Sequence, residues 1–157
     1  MFRERHAELV RLAALVLADW AAAEDVVQDV FARLCTHDLM PREDAVAYVR
    51  AAVLNGCRSV LRRRALIRRF RGAESALHAA GTVGSAEDHM LLSEERRQVL
   101  AALAALPVRR REVLVLRYWL GLPEAEIAAA LGISPGTVKS TAARGIASLA
   151  RALREES

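Results

Sequence analysis

The chain has 157 residues, of which 54% are hydrophobic but only 4% aromatic, and a formal net charge of +4. No apolar run approaches the roughly 20 residues needed to cross a bilayer, and the first residues mix both charge signs, which argues against a signal peptide and membrane insertion. A cytoplasmic protein is therefore expected. Two cysteines make no disulfide framework and no second ligand pair has zinc spacing, so no metal or cofactor is expected.

Strong helix formers without alternating strand runs predict an all-α protein. A first helical pattern runs from Leu9 to Trp20. Asp19, near its end, can end that helix or cap the next. The second helix, within AEDVVQDVFARL, is predicted to bury Val26, Val27, Val30, Phe31 and Leu34. Its other face carries Asp25, Gln28 and Asp29. By periodicity alone this stripe is either a solvated surface or a charged contact.

A third helix is predicted over about residues 42–64, with Pro41 near its start and Val49, Val53, Val60 and Leu61 buried. Its candidate nucleic-acid residues are Tyr48, Arg50, Asn55, Arg58, Arg62 and Arg63. Residues 42–71 hold nine arginines and two acids, a net +7, which favours a polyanionic partner over a merely solvated face. Tyr48 could equally pack in the core, and Asn55 could be an ordinary surface amide.

Residues 72–86 are small, contain glycine and are weakly periodic, so a flexible linker is predicted, extending to residue 92. Ser93 is a plausible cap for the next helix, which Pro107 ends. Arg109 to Leu120 forms another predicted helix, in which Tyr118 and Trp119 are expected to pack in the core.

The segment LGISPGTVKS has the pattern of a helix-turn-helix. Gly132 can adopt the left-handed conformation that ends the helix Glu124–Leu131, Ser134 is a good N-cap, and Pro135 suits the first helical position. The second helix, to about Leu153, is predicted to bury Val138, Ala142, Ile146 and Leu149. The candidate DNA-reading residues are Ser134, Thr137, Lys139, Ser140 and Arg144. Lys139 is the only lysine in a chain whose other long basic side chains are all arginine. The overall composition therefore does not account for a lysine in this motif.

The order of these motifs resembles a known family. AEDVVQDVFARL, then AYVRAAVLNGCRSVLRRR, then LPVRRREVLVLRYWLGLPEAEIAAALGISPGTVKS is similar to sigma-70 family RNA polymerase sigma factors. The resemblance is to the small extracytoplasmic-function class, of the actinobacterial sigma-E type. It covers residues 5–71 and 93–153. It implies two small helical domains joined by a flexible linker, the second a winged-helix-like helix-turn-helix called sigma region 4.

The resemblance also implies roles. Residues 5–71 would form a region-2-like domain that binds core RNA polymerase, recognises the −10 element and melts DNA. In it, Asp25, Gln28 and Asp29 would meet the polymerase clamp, and the candidate residues of the third helix would contact promoter DNA. Residues 72–92 would be the linker, and residues 93–153 would read the −35 element and meet the polymerase flap. A basic residue is common in the family where Thr141 stands, so −35 affinity is expected to be retuned. An anti-sigma factor is a further expected partner.

Two alternatives come from other functional classes. A free-standing helix-turn-helix regulator would use the same reader, but the chain shows no dimerisation heptads or ligand domain. A DNA-processing nuclease would need a carboxylate cluster, for which Glu43 and Asp44 are poor candidates. The sequence contains no nucleophile–base pair or phosphate loop, so the expectation is a promoter-specificity subunit and not an enzyme.

Overall fold

The computed structural model of the protein describes residues 2–37, 45–71 and 93–156. All regular secondary structure in these residues is helical, and they contain no strand. The chain divides into two compact units, Met1–Ala86 and Glu87–Ser157. The segment predicted as a linker, residues 72–92, lies outside the described residues, as do Pro41, Glu43 and Asp44.

The first unit is built from three helices that all contact one another: α1 (Phe2–Leu17), α2 (Trp20–His37) and α3 (Ala45–Arg71). Its core is aliphatic, because the sequence supplies Leu, Val and Ala at helical spacing and few aromatic residues. The largest fully buried side chains of this unit are Leu12, Val16, Leu17, Val27, Val53, Leu54 and Cys57.

The turn between α1 and α2 is held by side chains from three places. Ala18 takes a positive φ of 55°, and the Asp19 carboxylate caps α2 by accepting from the Ala22 N–H at 3.1 Å. Arg64 of α3 donates to the Leu17 carbonyl at 3.1 Å and forms a 2.7 Å ion pair with Asp19. The prediction for Asp19 is confirmed, and Arg64 is a structural tie within the arginine run.

Helices α2 and α3 approach closely at Gly56. A Cβ added there would lie 2.7 Å from Cγ1 of Val26, closer than side chains tolerate. The glycine therefore sets the separation of the two helices, and with it the width of the groove that lies between their exposed faces.

Helix α3 differs from its prediction at its C-terminal end. It continues seven residues past residue 64 to Arg71, because Ala65–Arg71 contains only residues compatible with a helix. Val49 and Val53 are buried as predicted, whereas Val60 and Leu61 are only half-buried and Leu54 and Cys57 take the inner positions.

The second unit contains α4 (Glu94–Ala105), α5 (Val108–Leu114), a π-helical turn (Val115–Trp119), α6 (Glu124–Leu131) and α7 (Pro135–Glu156). The long α7 packs against α4, α5 and α6. Fully buried side chains include Val113, Leu116, Ile127 and Val138. Ser93 caps α4 by accepting from the Arg96 N–H at 3.3 Å, as predicted.

Three consecutive arginines of α5 serve the fold of this unit. Arg109 donates to the Leu131 carbonyl at the end of α6, at 3.4 Å, and Arg110 donates to Ser148 of α7 at 3.0 Å. Arg111 is 7% exposed and donates to the carbonyls of Ala104 and Leu106 at 2.8 and 2.9 Å. These bonds join α5 to the ends and faces of its neighbours.

Two expectations about buried residues in this unit are wrong. Ile146 is 41% exposed, because steps of four residues drift by about 40° each on a helix of 3.6 residues per turn. Gly145, packed against Leu114, takes the inner position instead. Tyr118 and Trp119 are 61% and 42% exposed, because they close a π-helical turn in which the Leu120 N–H bonds the Val115 carbonyl.

Candidate nucleic-acid interface

The turn between α6 and α7 has the geometry of a helix-turn-helix. Gly132 ends α6 in the left-handed region, at φ 68° and ψ 36°, and its N–H bonds the Ala128 carbonyl. Ser134 then caps α7, with its Oγ accepting from the Thr137 N–H at 3.1 Å, and Pro135 is the first helical residue. The half-buried Ile133 lies between them. The positions of Gly132, Ser134 and Pro135 agree with the sequence prediction.

The predicted DNA-reading residues of α7 are all exposed: Ser134, Thr137, Lys139, Ser140 and Arg144. Three of them are already hydrogen bonded locally. The hydroxyls of Ser134 and Thr137 are 2.8 Å apart, and Ser140 donates to the Thr137 carbonyl at 3.2 Å. Lys139 and Arg144 make no hydrogen bond or ion pair with any other described residue, so they carry the charge of this face. An ammonium and a guanidinium are suited to guanine edges and phosphates.

Thr141 does not belong to this face. It is 8% exposed and lies beside the buried Ala142 on the inner side of α7. Its side chain therefore packs within the unit, and the expectation that this position retunes −35 affinity is not supported by its placement. The inner side of α7 is formed by Val138, Thr141, Ala142 and Gly145.

The first unit carries an open groove of about 770 Å³ between α2 and α3. One wall is acidic and comes from α2, with Asp25, Gln28 and Asp29 among its residues. The other wall comes from α3 and includes Tyr48, Asn55, Gly56, Ser59 and Arg63. Two sets of residues that the sequence assigns to different partners thus line one groove.

The α3 candidates separate into two groups. Tyr48, which is 47% exposed, lines the groove with Asn55 and Arg63, so it does not pack in the core. Arg50, Arg58 and Arg62 do not line the groove. Asn55 is held in place because its Oδ1 accepts from Nη1 of Arg58 at 3.0 Å, which leaves its amide N–H groups as donors.

Sequence reasoning missed some residues of the groove. Arg33 of α2 and Ser59 of α3 both line it. Arg33 follows Asp29 by four residues, and Ser59 follows Asn55 by four, so helical spacing from the chosen residues is the signal that could have found them. Arg33 places one cation on the otherwise acidic α2 wall.

In the described parts of the chain, no group of three or more His, Cys, Asp or Glu side chains is arranged to hold a metal ion. No described helix is long and apolar enough to cross a membrane.

Known proteins are similar to this chain in sequence and in fold. Residues 96–149 match the family model for Sigma-70, region 4. The chain is 31% identical over 156 residues to the ECF RNA polymerase sigma factor SigL of Mycobacterium tuberculosis, spanning 99% of this chain and 88% of that protein. It is 32% identical over 149 residues to the RNA polymerase sigma-E factor of Streptomyces avermitilis, covering 94% and 79% of the two chains.

Two solved structures have a similar architecture. One is the sigma factor RpoE in complex with the anti-sigma factor NepR from Bartonella quintana, with a TM-score of 0.75, 21% identity and coverage of 96% of this chain and 92% of that chain. The other is CnrH in complex with the cytosolic domain of CnrY, with a TM-score of 0.66, 25% identity and coverage of 98% and 86%.

Proposed function

The chain belongs to the extracytoplasmic-function RNA polymerase sigma factors, and from that premise we propose how its two units divide promoter recognition. Residues 5–71 bind core polymerase and act on the −10 element, residues 72–92 link the units, and residues 93–153 read the −35 element. The observation that carries the proposal is the outward face of α7, where Lys139 and Arg144 project from a helix set by Gly132 and Ser134.

The recognition of the −35 element rests on α7. A helix presented by such a turn enters the major groove with its N-terminal residues near the base edges. Lys139 and Arg144 supply the charged contacts, while the local hydrogen bonds of Ser134, Thr137 and Ser140 fix the first turn and leave limited capacity for bases. Base readout therefore depends mainly on the two cations.

Core polymerase is bound by the acidic wall of the groove. Asp25, Gln28 and Asp29 are exposed on α2, and charge complementarity with a basic surface of the clamp would speed docking and fix its register. The opposite wall of α3 serves melting, with Tyr48 as a stacking surface, Asn55 as a hydrogen-bond donor and Arg63 as a phosphate contact. Arg50, Arg58 and Arg62 supply charge beside the groove.

The flap of the polymerase is met by the π-helical turn of the second unit. Tyr118 and Trp119 are exposed there, and Arg117 lies 5.8 Å from the Tyr118 ring centroid and 3.1 Å from the Glu124 carboxylate. Aromatic residues and arginine are enriched at protein interfaces, where they supply much of the binding energy. The arginines of α5 are committed to the fold, so these aromatic residues are the better candidates for this contact.

An anti-sigma factor is the remaining partner in the proposal. The sigma factor RpoE, of similar fold, was solved in complex with the anti-sigma factor NepR, and CnrH was solved in complex with the cytosolic domain of CnrY. The free-standing regulator has no comparable support, since the relatives of this chain are sigma factors. Sigma factors are not enzymes, and the nuclease alternative gains nothing from the described residues.

Reconstitution with core RNA polymerase tests the proposal. The purified chain should form a holoenzyme that initiates at a distinct set of promoters, identified by sequencing the transcripts made on genomic DNA. Asp25→Lys with Asp29→Lys should slow association with core, whereas Glu4→Lys, an exposed acid on α1, should not. Core polymerase that transcribes no promoter better with the chain than without it would refute the proposal.

A further inference from the structure

Helix α3 extends beyond the bundle that it helps to form. Its last half-buried residue is Arg64, and every residue of 65–71 is exposed. We call residues 65–71 the extension, which is about 10 Å long at 1.5 Å per residue. It leaves the bundle beside the turn between α1 and α2, because Arg64 bonds the Leu17 carbonyl and Asp19 there.

One side of the extension is apolar and open to solvent. Leu66, Ile67 and Phe70 are 54%, 44% and 87% exposed. Successive residues of a helix are about 100° apart around its axis, so these three side chains fall within an arc of about 100°. Neighbouring apolar side chains that are left in water, with polar residues at their border, mark a surface that a partner covers.

Arginines border this apolar side on both edges. Around the helix, Arg69 lies about 60° beyond Leu66 and Arg71 about 40° beyond Ile67, while Arg68 is on the opposite side. The extension contains no acid, and its three arginines form no ion pair with any other described residue. An arginine at such an edge can lay its stem along apolar groups and keep its guanidinium beside anions in water.

The turn next to the extension has a related composition. Trp20, the first residue of α2, is half-buried, and tryptophan suits a boundary at which apolar groups meet water. The acid beside it, Asp19, is already paired with Arg64 at 2.7 Å. The next acid along α2 is Glu24, four residues further from the turn. This end of the unit therefore combines apolar and aromatic groups with unpaired positive charge.

We propose that the extension binds the surface of an anionic lipid bilayer, with its apolar side at the boundary of the hydrocarbon and its three arginines among the lipid phosphates. Basic amphipathic helices lie on bilayers in this way without spanning them. Binding is weak and reversible, because the apolar side holds only three residues. This activity goes beyond promoter recognition and does not depend on it.

Other occupants fit the extension less well. A nucleic acid would pair with the arginines but leave the three apolar side chains in water. A second copy of the chain would bring two sets of arginines together, with no acid in the extension to oppose them. A protein partner would need a groove with an apolar floor and acidic rims. A bilayer of anionic lipids presents that arrangement over its whole surface.

Vesicle binding by the full chain tests the proposal. The chain should co-sediment with vesicles of equal parts phosphatidylglycerol and phosphatidylcholine, and much less with phosphatidylcholine alone. Ile67→Ala and Val46→Ala are matched variants, because both residues are β-branched, 44% and 41% exposed, and on the same helix. Each methylene buried in lipid strengthens binding about fourfold, so Ile67→Ala should lower the partition constant by about fourfold or more. Val46→Ala should leave it unchanged.

Two further variants test the charge and the depth of the contact. Arg71→Gln should lower the partition constant about fivefold, the effect of one arginine at an anionic surface. Arg96→Gln, at an exposed arginine of α4, is its control and should have no effect. In Phe70→Trp, lipids with brominated acyl chains should quench the tryptophan fluorescence more than in the wild-type chain, because only a ring in contact with the hydrocarbon is quenched.

Three results would overturn the proposal. The first is equal binding of the wild-type chain to both kinds of vesicle, and the second is an unchanged partition constant for Ile67→Ala. The third is a Phe70→Ala chain that associates less well with core polymerase but binds vesicles normally, which would make the apolar side a protein-binding surface. The proposed promoter function stands or falls separately, because vesicle binding is measured without polymerase or DNA.

Discussion

At the scale of single residues, the helix-turn-helix depends on a few positions, each of which has one structural role. Gly132 supplies the left-handed turn, Ser134 the cap and Val138 the buried anchor, so the exposed side of α7 is presented without strain. The sequence predicts these residues well because each has a local chemical reason. It places Thr141 poorly, because exposure within a helix depends on how the neighbouring helices pack.

Substitution of the two α7 cations tests the DNA-reading face. Lys139→Ala and Arg144→Ala should each weaken binding of a −35 duplex by about 1–3 kcal/mol. Arg96→Ala, an exposed cation on α4, should leave affinity unchanged. Thr141→Arg should fail to strengthen binding and should destabilise the second unit, because the position is buried. Fluorescence anisotropy and urea denaturation measure the two effects, and a gain in affinity for Thr141→Arg would contradict the placement of that residue.

Replacement by alanine should affect the free energy of unfolding differently at two glycines near the turn. Gly132→Ala should lower the free energy of unfolding by about 1–2 kcal/mol, since φ is +68° and no atom lies within 4 Å to clash, leaving backbone strain as the cause. Gly136→Ala, within α7, should be neutral or stabilise by up to about 1 kcal/mol. Urea denaturation of both variants measures the difference, and equal losses would show that strain is not the cause.

At the scale of helices, periodicity and caps predict which elements exist better than where they end. The three caps Asp19, Ser93 and Ser134 are observed as predicted. Helix α3 runs seven residues further than predicted because the sequence offers no stop signal before Gly72. The π-helical turn that exposes Tyr118 and Trp119 has no sequence signature, since five-residue spacing of hydrogen bonds is a result of packing.

Arg64 and Arg63 allow the stabilising effect of a hydrogen bond between helices to be compared with that of an exposed charge. Arg64→Ala should lower the free energy of unfolding by about 1–3 kcal/mol, because it removes the bonds to the Leu17 carbonyl and to Asp19. Arg63→Ala, its exposed neighbour, should change stability by no more than about 0.5 kcal/mol. Chemical denaturation followed by circular dichroism makes the comparison. Two equal effects would mean that the tie to α1 contributes nothing.

At the scale of the whole molecule, the two units have separate cores, and the proposed function gives each a task of its own. The residues predicted for polymerase, melting and −35 contacts are exposed or at unit surfaces, but their roles stay predictions that the sequence derives from family resemblance. The structure adds what the sequence pattern does not contain: residues predicted for polymerase binding and for melting line one groove, and only some of the arginines of α3 line it. Such groupings arise only when α2 packs against α3.

The two tryptophans report on the units individually, since Trp20 lies in the first and Trp119 in the second. In a Trp20→Phe background, Gly132→Ala should lower the urea midpoint seen by Trp119 fluorescence. In a Trp119→Phe background, the same change should leave the midpoint seen by Trp20 unaltered. A shift of both midpoints together would show that the units unfold as one.

The single lysine of the chain makes the candidate DNA-reading face of α7 accessible to selective chemical modification. The other basic side chains of this chain are arginines and histidines, so an acylating reagent finds one side-chain amine, on Lys139, exposed at the candidate interface. Bound promoter DNA should slow acylation of that amine, and mass spectrometry of the α7 peptide would record the protection as a footprint taken from the protein side. Acylation also removes the positive charge of Lys139, so the same modification that labels the candidate interface should weaken DNA binding.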